Sequence, residues 1–368
     1  KECLTMKKYQ KLSLFPLGSI KAEGFLKDQL VIGKDGMAGH LYELEPEMIA
    51  EPYVKETHVK AWSADEQVGW QAEISGNYWT GYIQHAFTLG DEEMIEKATK
   101  WVDDMLKNQR EDGYLGTYTE EGANMLEDFN AWGTACAMRG LVAFYEATGR
   151  EDVINAVYRC MLWFCENWSG NKKTFYSGPA IIEVMIWVYR YIKDKRLVEF
   201  CVDYAEFMCT DKLIRTSYKA MLEDELHYFS NHTAGLGVAL RLPALVYSVT
   251  GEEKYLNASK RKINQILEKC THLSGGPVCV SEYLAPVGAS CETEYCSFTF
   301  YNATYSAMSC ITGESVWGDL MEEIFYNGAQ GARKKDEKAI AYLSAPNQIY
   351  ATNESSTATV MDQVYAPC

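Results

Sequence analysis

In GNYWTGYIQHAFTLGDEEMIEKATKWVDDMLKNQREDGYLG, residues 76–116, one helix stops and another starts within three residues. The first half is apolar or aromatic on several sides up to Leu89. Gly90 then breaks it, and Asp91, Glu92 and Glu93 open the next segment. Glycine takes the left-handed conformation that ends a helix, and acidic residues suit the positive end of the one that follows. Beyond the break, Ile95, Ala98, Val102 and Met105 fall on one face, the period of an amphipathic helix. A helix apolar on most sides, paired with one apolar on a single side, reads as an inner helix covered by an outer one.

The same punctuation returns at ATGREDVINA (147–156), IKDKRLVEFC (192–201), VTGEEKYLNA (249–258) and ITGESVWGDL (311–320). After the second break, Val153, Val157, Cys160 and Phe164 again share one face, while 135–145 and 180–191 are apolar all round. Repeated about six times, such pairs predict an all-α fold, an (α/α)6 toroid with short strands near the C-terminus. A straight solenoid is the second choice, because buried inner helices and dissimilar repeats favour closure. Residues 1–50 are expected to be an N-terminal segment packing on the barrel, with a helix over 22–32. Residues 51–368 are expected to form the barrel, left incomplete at its C-terminus. RKKDEK (333–338) reads as a solvated turn and 339–350 as a short strand reaching Tyr342.

The 368 residues are 47% hydrophobic, enough for a large core, and the formal net charge is −16. That charge argues against nucleic-acid or anionic-membrane partners, which call for a basic face. Twelve cysteines are spread through helical patterns, and Cys160, Cys165, Cys201 and Cys209 sit among apolar neighbours. They read as reduced core residues of a reducing compartment, and with no signal peptide or membrane span visible the expected location is cytoplasmic.

Chemistry concentrates in GGPVCVSEYLAPVGASCETEYC, residues 275–296, where Cys279, Glu282, Cys291, Glu292, Glu294 and Cys296 crowd a Gly- and Pro-rich loop. Two apart in an extended segment, Glu294 and Cys296 point to one side, and zinc accepts both ligand types. The alternative is that these cysteines are small buried hydrophobes and the glutamates solvated. In a toroid the N-terminal ends of the inner helices line one funnel. Tyr78 and Trp79, Trp132 with Asp128, His232, and Glu294 with Cys296 all precede or begin inner helices, so a shared pocket with sugar-stacking aromatics is expected. Trp163 and Trp187 are assigned to the core, which is also the ordinary fate of any single aromatic here.

FPLGSIKAEGFLKDQL, residues 76–116, HTAGLGVALRLPALVYSVTGEEKYL and ETEYCSFTFYNATYSAMSCITG together resemble glycoside hydrolase family 127 and its relatives, the β-L-arabinofuranosidase-type enzymes. The resemblance runs from Phe15 to Cys368. It implies an (α/α)6 catalytic barrel, an oligosaccharide or glycoside substrate and retaining hydrolysis of a furanoside. It further implies Glu282 as acid/base and a cysteine nucleophile held on zinc by Glu294, Cys296 and a later cysteine pair. His232 and Tyr342 match positions that contact the sugar. The chain departs from the pattern in having no adjacent cysteines: it stops at YAPC, where Cys368 is either the candidate nucleophile and further ligand or a residue just upstream of that pair. On this reading the chain is a barrel cut off at or before its nucleophile. Two alternatives stand beside it: a metal-free toroid sugar enzyme of the uronyl hydrolase or epimerase type, and a glycan-binding relative without turnover.

Overall fold

A computed structural model describes residues 9–44, 49, 58, 71–124, 128–168, 180–207, 218–288, 290–349 and 358–360. Its helices are α1 (Gly24–Lys34), α2 (Met37–Leu44), α3 (Gln71–Leu89), α4 (Glu92–Lys107), α5 (Glu120–Asn124), α6 (Asp128–Thr148) and α7 (Glu151–Trp168). They continue with α8 (Ile181–Ile192), α9 (Lys195–Phe207), α10 (Tyr218–Met221), α11 (Thr233–Thr250), α12 (Glu253–Lys269), α13 (Tyr295–Thr312) and α14 (Val316–Glu323). A π-helical turn follows at Ile324–Ala329. The strands β1 (Cys279–Val280), β2 (Tyr283–Leu284), β3 (Thr293–Glu294), β4 (Ala339–Ala341), β5 (Leu343–Ser344) and β6 (Ala358–Val360) form three antiparallel pairs, β1–β2, β3–β5 and β4–β6.

Five helical hairpins of the toroid lie among the described residues: α3–α4, α6–α7, α8–α9, α11–α12 and α13–α14. Their first members pack on one another in sequence order and make the inner ring. All five turns fall at the expected breaks. Gly90, Gly149, Gly251 and Gly313 close four of them with positive φ. Lys193 takes the same conformation in the third turn, at φ 62. Asp91 then caps α4, its carboxylate accepting the Met94 N–H at 3.0 Å. The outer helices bury one face, as Met94, Ala98, Trp101, Val102 and Met105 do in α4. The inner helix α11 is buried on nearly every side. Among the described residues α11 is the one helix long and apolar enough to cross a membrane, and here it is a core helix. Pro243 interrupts its backbone ladder, and the Ala244 N–H instead reaches Ser259 Oγ of α12 at 3.0 Å.

The N-terminal segment lies against the ring. Lys11 and Leu12 donate backbone hydrogen bonds to the Cys310 carbonyl, and Lys34 of α1 pairs with Asp91 at 2.6 Å. Gln29 of α1 exchanges amide hydrogen bonds with Gln330, just past the π turn. The 333–338 segment is largely the exposed turn expected, with Arg333 and Glu337 turned inward. Arg333 Nε donates to Tyr295 Oη at 2.7 Å, and its guanidinium also meets Glu337.

Large apolar side chains fill the space between inner and outer helices, whereas a charged rod crosses the ring itself. Glu183 of α8 takes Arg139 of α6 at 3.3 Å and Arg241 of α11 at 2.8 Å. Arg241 also donates to Thr304 Oγ1 of α13 at 3.2 Å, so four successive inner helices share one network. Burial would push the Glu183 carboxyl up, but the two guanidinium charges outweigh it and hold its pKa down to about 2. Breaking a buried pair from one side strands the other charge, which costs about 3–5 kcal/mol. Glu183→Gln leaves Arg241 buried without its counter-charge and is expected to destabilise the fold by about 3 kcal/mol in urea unfolding. Because the folded pKa is depressed, the pair's contribution is present above about pH 4.5. The stability gap between wild type and variant should therefore shrink as pH falls from there towards 2.

Candidate active site

Two inner-helix N-termini and one hairpin build the site. The β1–β2 hairpin pairs Cys279 with Leu284 and Val280 with Tyr283, which leaves Ser281 and Glu282 as the two-residue turn. Both have positive φ, 48 and 70, as a type I′ turn demands, although that turn favours Asn and Gly. Glu282 is thus held at the tip in a conformation its side chain disfavours. Thr233, the first residue of α11, keeps it there: its N–H and hydroxyl both donate to the Glu282 carbonyl, at 2.8 and 3.0 Å. Leu284 N–H donates to the Asn231 carbonyl and Phe229 N–H to the Leu284 carbonyl, so the hairpin is sewn along the lead-in to α11.

His232 is the N-cap of α11. Its Nδ1 accepts the Gly235 N–H at 3.3 Å, which leaves Nε2 facing two carboxylates. Nε2 lies 3.5 Å from Glu282 Oε2 and 3.3 Å from Glu294 Oε2. Burial works against a charge on the ring, but Glu282 and Glu294 outweigh it and lift the His232 pKa to about 10. A full charge requires a proton on Nδ1 and gives up the cap, so cap and carboxylates pull the ring in opposite directions.

Glu294 ends β3 and stands at the N-cap position of α13. β3 pairs Glu294 with Leu343, and the Tyr295 N–H bonds the Tyr342 carbonyl, which brings Tyr342 alongside. Tyr342 Oη lies 2.7 Å from Glu282 Oε1 and 3.1 Å from Glu294 Oε1. Its single proton serves one carboxylate at a time.

His232, Glu282 and Glu294 present ligand atoms that all lie within 4.8 Å of one another. Glu294 is wholly buried, and its Oε2 accepts no aligned hydrogen bond among the described residues. A carboxylate oxygen sealed from water with only the imidazole Nε2 near it, at 3.3 Å and poorly aligned, is costly, and a cation lowers the cost. The donor set of two carboxylates and an imidazole therefore fits a divalent ion, zinc among them. Cys279, also fully buried, faces the backbone N–H groups of Glu282 and Glu294, and burial pushes its thiol up to about 12.

Of the residues singled out in the sequence, His232, Glu282, Glu294 and Tyr342 come together. Cys296 is buried in the first turn of α13, outside the three-residue cluster. Glu294 is extended but Cys296 is already helical, so the two are not the purely extended pair expected. Tyr78 and Trp79 are not at the funnel. α3 begins at Gln71, which carries them more than a turn into the helix. Trp79 stacks on Trp101 and gives its indole N–H to the Ile49 carbonyl, while Tyr78 Oη bonds the Ala38 carbonyl. Trp132 sits in the second turn of α6, buried against Phe300 beneath the Arg139 guanidinium. Cys368 and the side chain of Asp128 lie outside the described residues. The sequence reading missed the hairpin itself, since Ser-Glu is not a turn signature. The His232 contact, foremost, and Tyr342 hold the Glu282 carboxyl below the usual range against partial burial.

Residues 38–366 match the sequence profile of the β-L-arabinofuranosidase GH127 catalytic domain. Among solved structures the chain is similar to a protein described as a glycoside hydrolase, with 14% identity and a TM-score of 0.68 over 95% of the chain. It is similar to a GH127 β-arabinofuranosidase, with 17% identity and a TM-score of 0.69 over 91% of the chain. It is also similar to a GH127 β-L-arabinofuranosidase from Geobacillus stearothermophilus T6, with 14% identity and a TM-score of 0.67 over 88%. The chain spans 57% of the length of each of these three. No curated protein matches it in sequence.

A left-handed glutamate stores backbone strain of about 1–3 kcal/mol. Glu282→Gly is therefore expected to raise stability by about 1 kcal/mol, read as a higher urea midpoint at unchanged m-value. A lower midpoint would mean that the Tyr342 and His232 contacts outweigh the strain.

Proposed function

This chain belongs to the GH127 β-L-arabinofuranosidase catalytic-domain family, and from that premise we propose that it is a retaining glycoside hydrolase cleaving β-L-arabinofuranosides. The observation that carries the reading is the meeting of Glu282, Glu294, His232 and Tyr342 at the N-terminal ends of two adjacent inner helices. Family membership weighs against the metal-free alternative.

Glu282 is assigned as acid/base. It is half-exposed at a hairpin tip and so can reach a leaving oxygen. In the free site it is held as carboxylate, but a bound sugar strips its water and raises its pKa. Tyr342 can turn its hydroxyl from Glu282 to Glu294, and His232 Nε2–H stands ready to share a proton with Glu282. On the family resemblance Glu294, Cys296 and Cys368 are assigned as metal ligands; of these Glu294 lies in the observed cluster with His232, and Cys296 stands two residues on in the first turn of α13. When bound, zinc would supply the positive charge that keeps a thiol ionised at neutral pH. Cys368 is assigned as the nucleophile. Its thiolate attacks the anomeric carbon, the glycosidic C–O bond breaks, and Glu282 gives its proton to the departing oxygen. Glu282 then takes a proton from water, whose oxygen displaces the sulfur and frees the sugar.

Glu282→Gln is expected to lower kcat on a furanosyl disaccharide by about 10²–10⁴-fold while partly sparing an activated aryl furanoside, whose leaving group needs no proton. Equal loss on both substrates removes Glu282 from the acid role. Metal content of the purified chain supplies a second test. Elemental analysis should find about one zinc per chain, and Glu294→Gln should lower that ratio sharply. Wild type devoid of metal after growth in zinc-supplemented medium would sink the metal assignment.

A further inference from the structure

We propose that Tyr283 and Phe229 form an aromatic platform for the leaving-group side of the substrate and so select what is attached to the cleaved furanose. The proposal rests on the assignment of Glu282 as acid. Most large aromatic side chains of this protein pack inward. Among the described residues, Phe15, Phe25, Tyr326, Phe229 and Tyr283 are prominent exceptions. The first three belong to the N-terminal segment and the π turn. The other two stand on the short ladder that carries Glu282.

Tyr283 follows Glu282 directly and is the antiparallel bridge partner of His232. Side chains of directly opposed residues project to the same face. Tyr283 therefore shares the face of His232, whose ring looks onto Glu282 and Glu294. Leu284, the next residue, points the other way and is wholly buried. Phe229 is tied to the same ladder by its N–H, which donates to the Leu284 carbonyl at 2.8 Å. It holds φ 55, a left-handed conformation that a bulky ring seldom takes. The backbone is thus strained to keep an apolar ring in water, and stability gains nothing from that.

Depth orders the site. Side-chain exposure rises from 0% at Glu294 through 20% at His232 to 40% at Glu282, and residue exposure is 48% at Tyr283 and 61% at Phe229. The reacting furanose must lie at the deep end, against the buried carboxylate. The acid must touch the oxygen that leaves, so the departing group extends outward past Glu282, toward the exposed end of the ladder that carries Tyr283 and Phe229. Aromatic rings accept the C–H faces of sugars and stack on aryl groups. The occupant is therefore a second sugar or an aryl group with a flat apolar face, rather than a small or charged alcohol.

The test compares a β-L-arabinofuranosyl disaccharide with methyl β-L-arabinofuranoside, whose leaving group is too small to reach the platform. For Tyr283→Ala and Phe229→Ala, the ratio of kcat/KM between disaccharide and methyl glycoside should fall about tenfold, chiefly through KM, as expected for a lost aromatic contact. Phe229→Gly suits the left-handed backbone and separates loss of the ring from a folding defect. An unchanged ratio in all three variants overturns the proposal. If wild type cleaves neither substrate, the furanosidase assignment fails on its own. Calorimetric binding of the same disaccharide then decides the platform: about tenfold weaker binding to Tyr283→Ala supports it, and equal or absent binding overturns it.

Discussion

The Glu282 carbonyl is gripped by two donors of Thr233, and the geometry of the site follows from that grip. A two-residue turn with both φ values positive would relax if it were free, because neither Ser281 nor Glu282 favours the conformation. Thr233 cannot yield without unwinding the first turn of α11, which is buried on nearly every side. The hairpin tip therefore takes the rigidity of a core helix. Its carboxylate is held towards His232, itself fixed as the cap of the same helix. A loop residue gains the positional accuracy of a helix residue in this way, which an acid/base group in the proposed reaction needs.

The ring contains two clusters of buried charge with opposite logic. In the rod, Glu183 is matched by two guanidinium groups with well-formed hydrogen bonds, and its pKa falls to about 2. At the mouth, two carboxylates share one imidazole and one hydroxyl, and Glu294 Oε2 is left without an aligned donor. The ligand oxygens of Glu282 and Glu294 lie within 4.8 Å of each other, and two like charges that close repel by a few kcal/mol at an effective dielectric of roughly 20. The first arrangement has positive charge to spare, two guanidinium groups to one carboxylate with Arg139 Nη2 left without a hydrogen-bond partner among the described residues, and it serves as a structural tie. The second is short of positive charge, which is the condition of a site that binds a cation or passes protons.

The toroid was legible because its punctuation is local. Gly90, Gly149, Gly251 and Gly313 end helices for a reason contained in their own backbone, and the acidic residues after them start the next helix. Lys193 shows that context can force the same turn on a residue without glycine's freedom. The start of α3 was not legible, since the polar, mixed residues ahead of Gly76 hide a helix that already runs from Gln71. That offset places Tyr78 and Trp79 in the wall rather than at the mouth. The juxtaposition of Glu282 with His232 was hidden for another reason. It depends on pairing between segments some 50 positions apart, with hydrogen bonds from Thr233 to Glu282 and from Leu284 to Asn231 that leave no periodic trace. Arg333, read as part of a solvated charge run, supports Tyr295 beside the site because a fold can fold an arginine inward wherever a buried acceptor waits.

Position along the inner helices explains why the chemistry gathers at one end. The N-termini of α11 and α13 both point at the carboxylate cluster, and each carries partial positive charge from unpaired N–H groups. Such ends lower the cost of burying Glu294, though they do not remove it, since its side chain makes no cap bond. The opposite ends of these helices offer only carbonyls, closed by Gly251 and Gly313. A toroid of parallel inner helices therefore has one face that tolerates buried anions and one that does not. Three of the five described non-glycine residues with positive φ, Ser281, Glu282 and Phe229, stand on the anion-tolerant face next to the groups whose placement their strain serves, whereas Lys193 closes α8 at the other end.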